Sequence, residues 1–84
     1  MTREEMLHTL EVWIGEITER VPPALTFDTD LVRDLRLDSL ALAELGSRLR
    51  VRYHVRLLPS ELIDALRVGT MIDLVRERLD HPKG

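Results

Sequence analysis

Side chains that commonly do chemistry are sparse in this chain. Cysteine is absent, which rules out a thiol nucleophile, a disulfide and a zinc-thiolate site. His8, His54 and His81 lie far apart, with no H-x-x-x-H pair and no cysteine nearby, so no metal site is expected. No glycine-rich loop joins a strand to a helix, which excludes a nucleotide cradle. No Ser-His-Asp set can be assembled, so no catalytic residue is expected and the chain does not read as an enzyme. What remains is Asp38-Ser39-Leu40. By itself this tripeptide reads as a helix N-cap, because Asp and Ser are both favoured there.

The elements around that serine follow from periodicity. Thr2-Arg3-Glu4-Glu5 has the form of a capping box. The helix it opens carries apolar residues at Met6, Leu10, Trp13, Ile17 and Val21, with Leu7 and Ile14 widening the stripe. Pro22-Pro23 is expected to end it. Residues 24–38 then form a long connection in which Leu25, Phe27, Leu31, Leu35 and Leu37 are isolated apolar anchors. Loops of this length are often functional, and the anchors predict one pinned across a core.

A second helix is expected from Asp38-Ser39, through Leu42, Leu45 and Leu49. Gly46 inside it is either tolerated or marks a close packing contact. Arg50 to Leu57 alternates strictly and in isolation favours a strand, but the only other alternation, Leu35-Arg36-Leu37, is too brief to satisfy its backbone groups. It is read as the end of helix two followed by an extended turn. Pro59-Ser60-Glu61 opens a short helix through Leu62, Ile63 and Leu66. Arg67-Val68-Gly69-Thr70 separates it from a last helix buried through Met71, Leu74, Val75 and Leu79. The fold class is therefore all-α: a four-helix bundle with a long loop between helices one and two and a short third helix. Residues 1–84 read as a single domain, with 81–84 a frayed tail.

Charge narrows the function classes. The net charge is −3, divided between −5 over residues 1–38 and +2 over residues 39–84. A negative chain argues against nucleic-acid binding, and the asymmetry points to separate faces for separate partners. No apolar run reaches the roughly 20 residues of a membrane span, and the start has no signal-peptide pattern. A cytoplasmic monomer that does not bind membranes is expected.

Placed in this framework, Asp34-Leu35-Arg36-Leu37-Asp38-Ser39-Leu40 resembles the acyl carrier protein signature D-L-G-x-D-S-L. Later segments resemble the family too: Glu44-Leu45 at its offset after the serine, Pro59-Ser60-Glu61-Leu62 at the third helix, and Arg67-Val68-Gly69 before the last. The likeness runs from about residue 4 to residue 79. It implies that a phosphopantetheinyl transferase attaches 4′-phosphopantetheine from coenzyme A to Ser39. The arm would supply the thiol this chain lacks. With Asp38 capping the helix, the Ser39 hydroxyl would face solvent, and a phosphate there would lie near unpaired N–H groups. The resemblance also implies that Asp38, Leu40 and Glu44 lie on the face read by partner enzymes. Those partners would be an acyltransferase or ligase that loads the arm, and a ketosynthase or other downstream enzyme.

Several positions depart from the family pattern. Arg36 replaces the signature glycine, Ala41 stands where an acid is common, and helix two continues with Arg48, Arg50, Arg52 and Arg56. A fatty-acid housekeeping carrier would be more acidic, so a polyketide or related biosynthetic pathway with dedicated partners is expected. Arg48 and Arg52 are candidates for binding an acidic partner. The alternatives are an aminoacyl or peptidyl carrier, and a non-carrier helical interaction module.

Overall fold

The computed structural model describes residues 2–21 and 24–80, which fold into four helices. These are α1 (Arg3–Thr18), α2 (Ser39–Tyr53), α3 (Pro59–Asp64) and α4 (Val68–Asp80). No strand forms among the described residues; one isolated antiparallel bridge joins Asp30 to Arg67. The all-α expectation, with a long loop and a short α3, is met.

The capping box that starts α1 is present. Thr2 Oγ1 accepts from the Glu5 amide at 3.1 Å, and Glu5 Oε1 accepts from the Thr2 amide at 3.1 Å. The Thr2 amide, with a smaller contribution from the Thr2 hydroxyl, holds the Glu5 carboxyl below its ordinary pKa. The buried stripe is Met6, Leu10 and Ile14, spaced four apart on one face. Trp13 and Ile17 flank it and are only half-buried; Trp13 lies tilted against Tyr53 with ring centroids 6.1 Å apart. Val21 is not part of the stripe. The helix ends at Thr18, where Glu19 adopts a left-handed φ of 55° and turns the chain out. Val21 is therefore 97% exposed. Pro22-Pro23, expected to end the helix, lie outside the described residues, as does the 81–84 tail.

Helix α2 buries Leu45, Leu49 and Tyr53. His54, with φ 58°, closes it by donating its amide to the Arg50 carbonyl at 2.9 Å. The chain then runs extended, inserting Val55 into the core. Helix α3 stops at Asp64, two residues before the expected Leu66. Helix α4 begins at Val68, earlier than expected, and buries Val68, Met71, Ile72 and Val75. Leu79, expected to be buried, is 37% exposed.

The early start of α4 has a long-range cause. Its first amides need acceptors, and the loop after α1 provides them. Val68 N donates to the Thr29 carbonyl at 2.9 Å, and Gly69 N to the Phe27 carbonyl at 2.8 Å. In return, Leu31 N donates to the Leu66 carbonyl at 2.9 Å. Arg3 binds the same region, pairing with Asp73 at 3.0 Å and stacking over the Phe27 ring at 4.2 Å.

Gly69 is required by this join. A Cβ there would stand 2.9 Å from the Phe27 carbonyl oxygen, closer than such atoms tolerate. Gly69→Ala is expected to destabilise the protein by about 1–3 kcal/mol, as overpacking does. Urea unfolding checks it; a loss below about 0.5 kcal/mol, the range of neutral surface changes, would mean the loop yields freely.

Candidate functional site at the start of α2

The loop leading into α2 contains one helical turn, built by carboxylates. Asp30 Oδ1 accepts from the amides of Val32 at 2.9 Å and Arg33 at 2.7 Å. These bonds, the Arg33 one foremost, hold the Asp30 carboxyl below its ordinary pKa. Asp34 Oδ2 accepts from the Asp30 amide at 2.8 Å. The turn ends in an αL cap: Arg36 N donates to the Val32 carbonyl at 3.0 Å, and Leu37 N reaches back to the Leu31 carbonyl at 3.0 Å. Leu31 and Leu37 are both buried, which supplies the apolar contact typical of that motif.

This geometry puts Arg36 in the left-handed region, with φ 56°. The family signature has glycine at this position, and the motif explains why. A side chain there costs about 1–2 kcal/mol. Arg36→Gly removes that cost but frees the unfolded chain by about 0.4–1 kcal/mol. A net gain of about 0.5 kcal/mol is expected in urea titration. A loss would show that the guanidinium makes a stabilising contact of its own.

Asp38 caps α2, with Oδ1 accepting from the Ala41 amide at 2.8 Å. Its backbone is extended, at φ −85° and ψ 178°. The first turn closes with Leu42 N donating to the Asp38 carbonyl at 3.0 Å. Ser39 is the first helical residue and is exposed. Its hydroxyl plays no part in the cap, and among the described residues the Ser39 and Leu40 amides have no acceptor.

Two depressions flank α2. On the α1 side, Asp38, Leu40, Glu44 and Arg48 share one wall with Arg36, so four of the five partner-face candidates come together. Leu40 is 78% exposed. Arg52 is elsewhere, near the far end of α2, with its guanidinium 5.7 Å from the Tyr53 ring centroid. Arg48 bonds to Glu16 of α1 and, at 3.4 Å, to Glu44, so its charge is largely met inside the chain. Arg56 lies beyond the helix end and does not extend a stripe. On the α3 side, Ser39 borders a groove with Gly46, Arg50 and Arg56. Sequence reading missed this groove, although Ser39, Leu42, Gly46 and Arg50 share one helical face.

The residue pattern of the family described as "phosphopantetheine attachment site" matches residues 9–75. The chain belongs to that family. It is also similar to an acyl carrier protein of Rhodococcus erythropolis, at 28% identity over 76 residues, which is 90% of this chain and 84% of that protein. The protein is thus a phosphopantetheine carrier of the acyl carrier protein family, with 4′-phosphopantetheine as its covalent cofactor. Membership implies a phosphopantetheinyl transferase and biosynthetic enzymes as its partners. The start of α2 fits such a group: it offers an exposed hydroxyl and free amides at the positive end of a 15-residue helix. Among the described residues, no helix is long and apolar enough to cross a membrane.

Proposed function

We propose that Ser39 carries the 4′-phosphopantetheine, and that the protein presents acyl intermediates to enzymes of a polyketide or related pathway without catalysing a step itself. The observation that carries this reading is the division of labour at the start of α2. Asp38 takes the cap, and Ser39 stands exposed with an unengaged hydroxyl. That oxygen is available to a transferase without breaking any bond of the fold. The phosphopantetheine supplies the thiol that this cysteine-free chain lacks, on which acyl groups are held as thioesters. The amides of Ser39 and Leu40 would stabilise the phosphodiester charge.

Asp38, Leu40 and Glu44 form the proposed partner-reading face, with Leu40 the apolar contact at its centre. Transferase, loading acyltransferase or ligase, and ketosynthase would meet this face. Glu44 is the only acid in α2, against Arg48, Arg50 and Arg52. That balance supports a dedicated set of partners, since a partner built for a strongly acidic α2 would find little charge here.

The test is incubation with coenzyme A, Mg²⁺ and a broad-specificity phosphopantetheinyl transferase, followed by intact-mass measurement and fragment mapping. A gain of one phosphopantetheine at Ser39 is expected. An unchanged mass across several transferases, or a gain mapped to Ser47 or Ser60, overturns the reading.

A further inference from the structure

The groove on the α3 side of α2 has a volume of about 480 Å³, and its two ends differ chemically. Ser39 is at one end. The walls are apolar, made by Leu42 and Leu57 with Leu58 and Ile63 at the rim. Gly46 keeps the floor open: a Cβ there would stand 3.2 Å from Leu62 Cδ1, so a side chain would crowd the trough or push Leu62 aside. Arg50 and Arg56 line the other end. Arg50 follows Ser39 by eleven residues along one continuous helix, a rise of about 16 Å.

No aspartate or glutamate lines this groove among the described residues. The ion pairs of the fold use other arginines, with Arg3 bound to Asp73, Arg48 to Glu16 and Arg78 to Glu61. Among the described residues, neither Arg50 nor Arg56 is in a salt bridge. An apolar trough that ends in two such cations suits a guest that is apolar along its length and anionic at its tip.

We propose that this groove receives acyl cargo ending in a carboxylate, and that Arg50 and Arg56 select it over a methyl-ended chain of the same length. The proposal rests on Ser39 being the attachment residue, because only cargo tethered there enters from the correct end. The apolar walls hold the methylenes of either cargo, so the discrimination comes from the two guanidinium groups.

The protein is loaded by the transferase from octanoyl-coenzyme A or from suberyl-coenzyme A, which differs in its terminal carboxylate. Amide chemical shifts of Gly46, Ser47 and Ile63 then report occupancy of the groove. The suberyl form is expected to occupy it about threefold more, the scale of an exposed ion pair, and less so in high salt. The double variant Arg50→Gln, Arg56→Gln should load equally by mass but lose the preference; Arg50→Lys with Arg56→Lys should keep most of it. Equal shifts from both cargoes, or a preference that survives in the glutamine variant, overturns the proposal while leaving attachment at Ser39 standing. Absence of any mass gain at Ser39 overturns both.

Discussion

Ser39→Ala is expected to abolish attachment of phosphopantetheine and to leave the fold almost unchanged. Both halves follow from where the side chain sits. The hydroxyl is the group that would take the phosphopantetheine, and alanine has none. The cap that starts α2 belongs to Asp38, and Ser39 is exposed at the first helical position. Its removal should therefore change stability by no more than about 0.5 kcal/mol, as for other surface changes. Asp38→Ala is the matched control. It removes the 2.8 Å bond to the Ala41 amide and should cost about 1 kcal/mol, while leaving the serine in place. Urea midpoints separate the two structural roles, and intact mass of Ser39→Ala reports attachment. A Ser39→Ala protein that still gains mass would place attachment elsewhere, and one that unfolds easily would make Ser39 a structural residue.

Leu31→Ala is expected to have the largest effect on stability. Leu31 belongs to a loop, yet it is 0% exposed and lies in the core with Leu45, Met71 and Ile72. Truncating a leucine so enclosed costs about 2–5 kcal/mol. A chain this short has only about 4–13 kcal/mol in all. The variant should unfold at much lower urea, and its attachment loop should lose its form with it. Val32→Ala, one residue on and exposed, should fall within about 0.5 kcal/mol of the parent. A small loss at Leu31 would mean that the loop is not part of the core after all.

The features legible in the sequence were those carried by neighbouring residues. The Thr2–Glu5 capping box, the Asp38 cap and the apolar anchors Leu25, Leu31 and Leu37 are each local patterns, and each appears as read. The end of α1 was misplaced because Glu19 gives no sign that it will take a positive φ. The start of α4 was misplaced because its acceptors, Phe27 and Thr29, are remote in the chain. Distance also hid the pairing of Arg48 with Glu16, which no spacing rule along α2 reveals. At the candidate site, the motif singled out Ser39 itself. The groove beside it depends on how closely Leu62 approaches Gly46, a packing relation between two helices.

The backbone bonds between the loop and the start of α4 bear on the order of events in folding. Thr29 and Val68, and Phe27 and Gly69, come together only after the intervening chain has closed into a large loop. Contacts of such wide separation form late, after local helices such as α1 and α2 have begun to appear. Until they form, the turn that runs from Asp30 to Leu37 and aims the start of α2 keeps its internal bonds but lacks its attachment to α4. Residues 66–69 leave the ribosome well after residue 39, so the serine is made early but receives its setting late. Modification that depends on that setting would then mark chains that have finished folding.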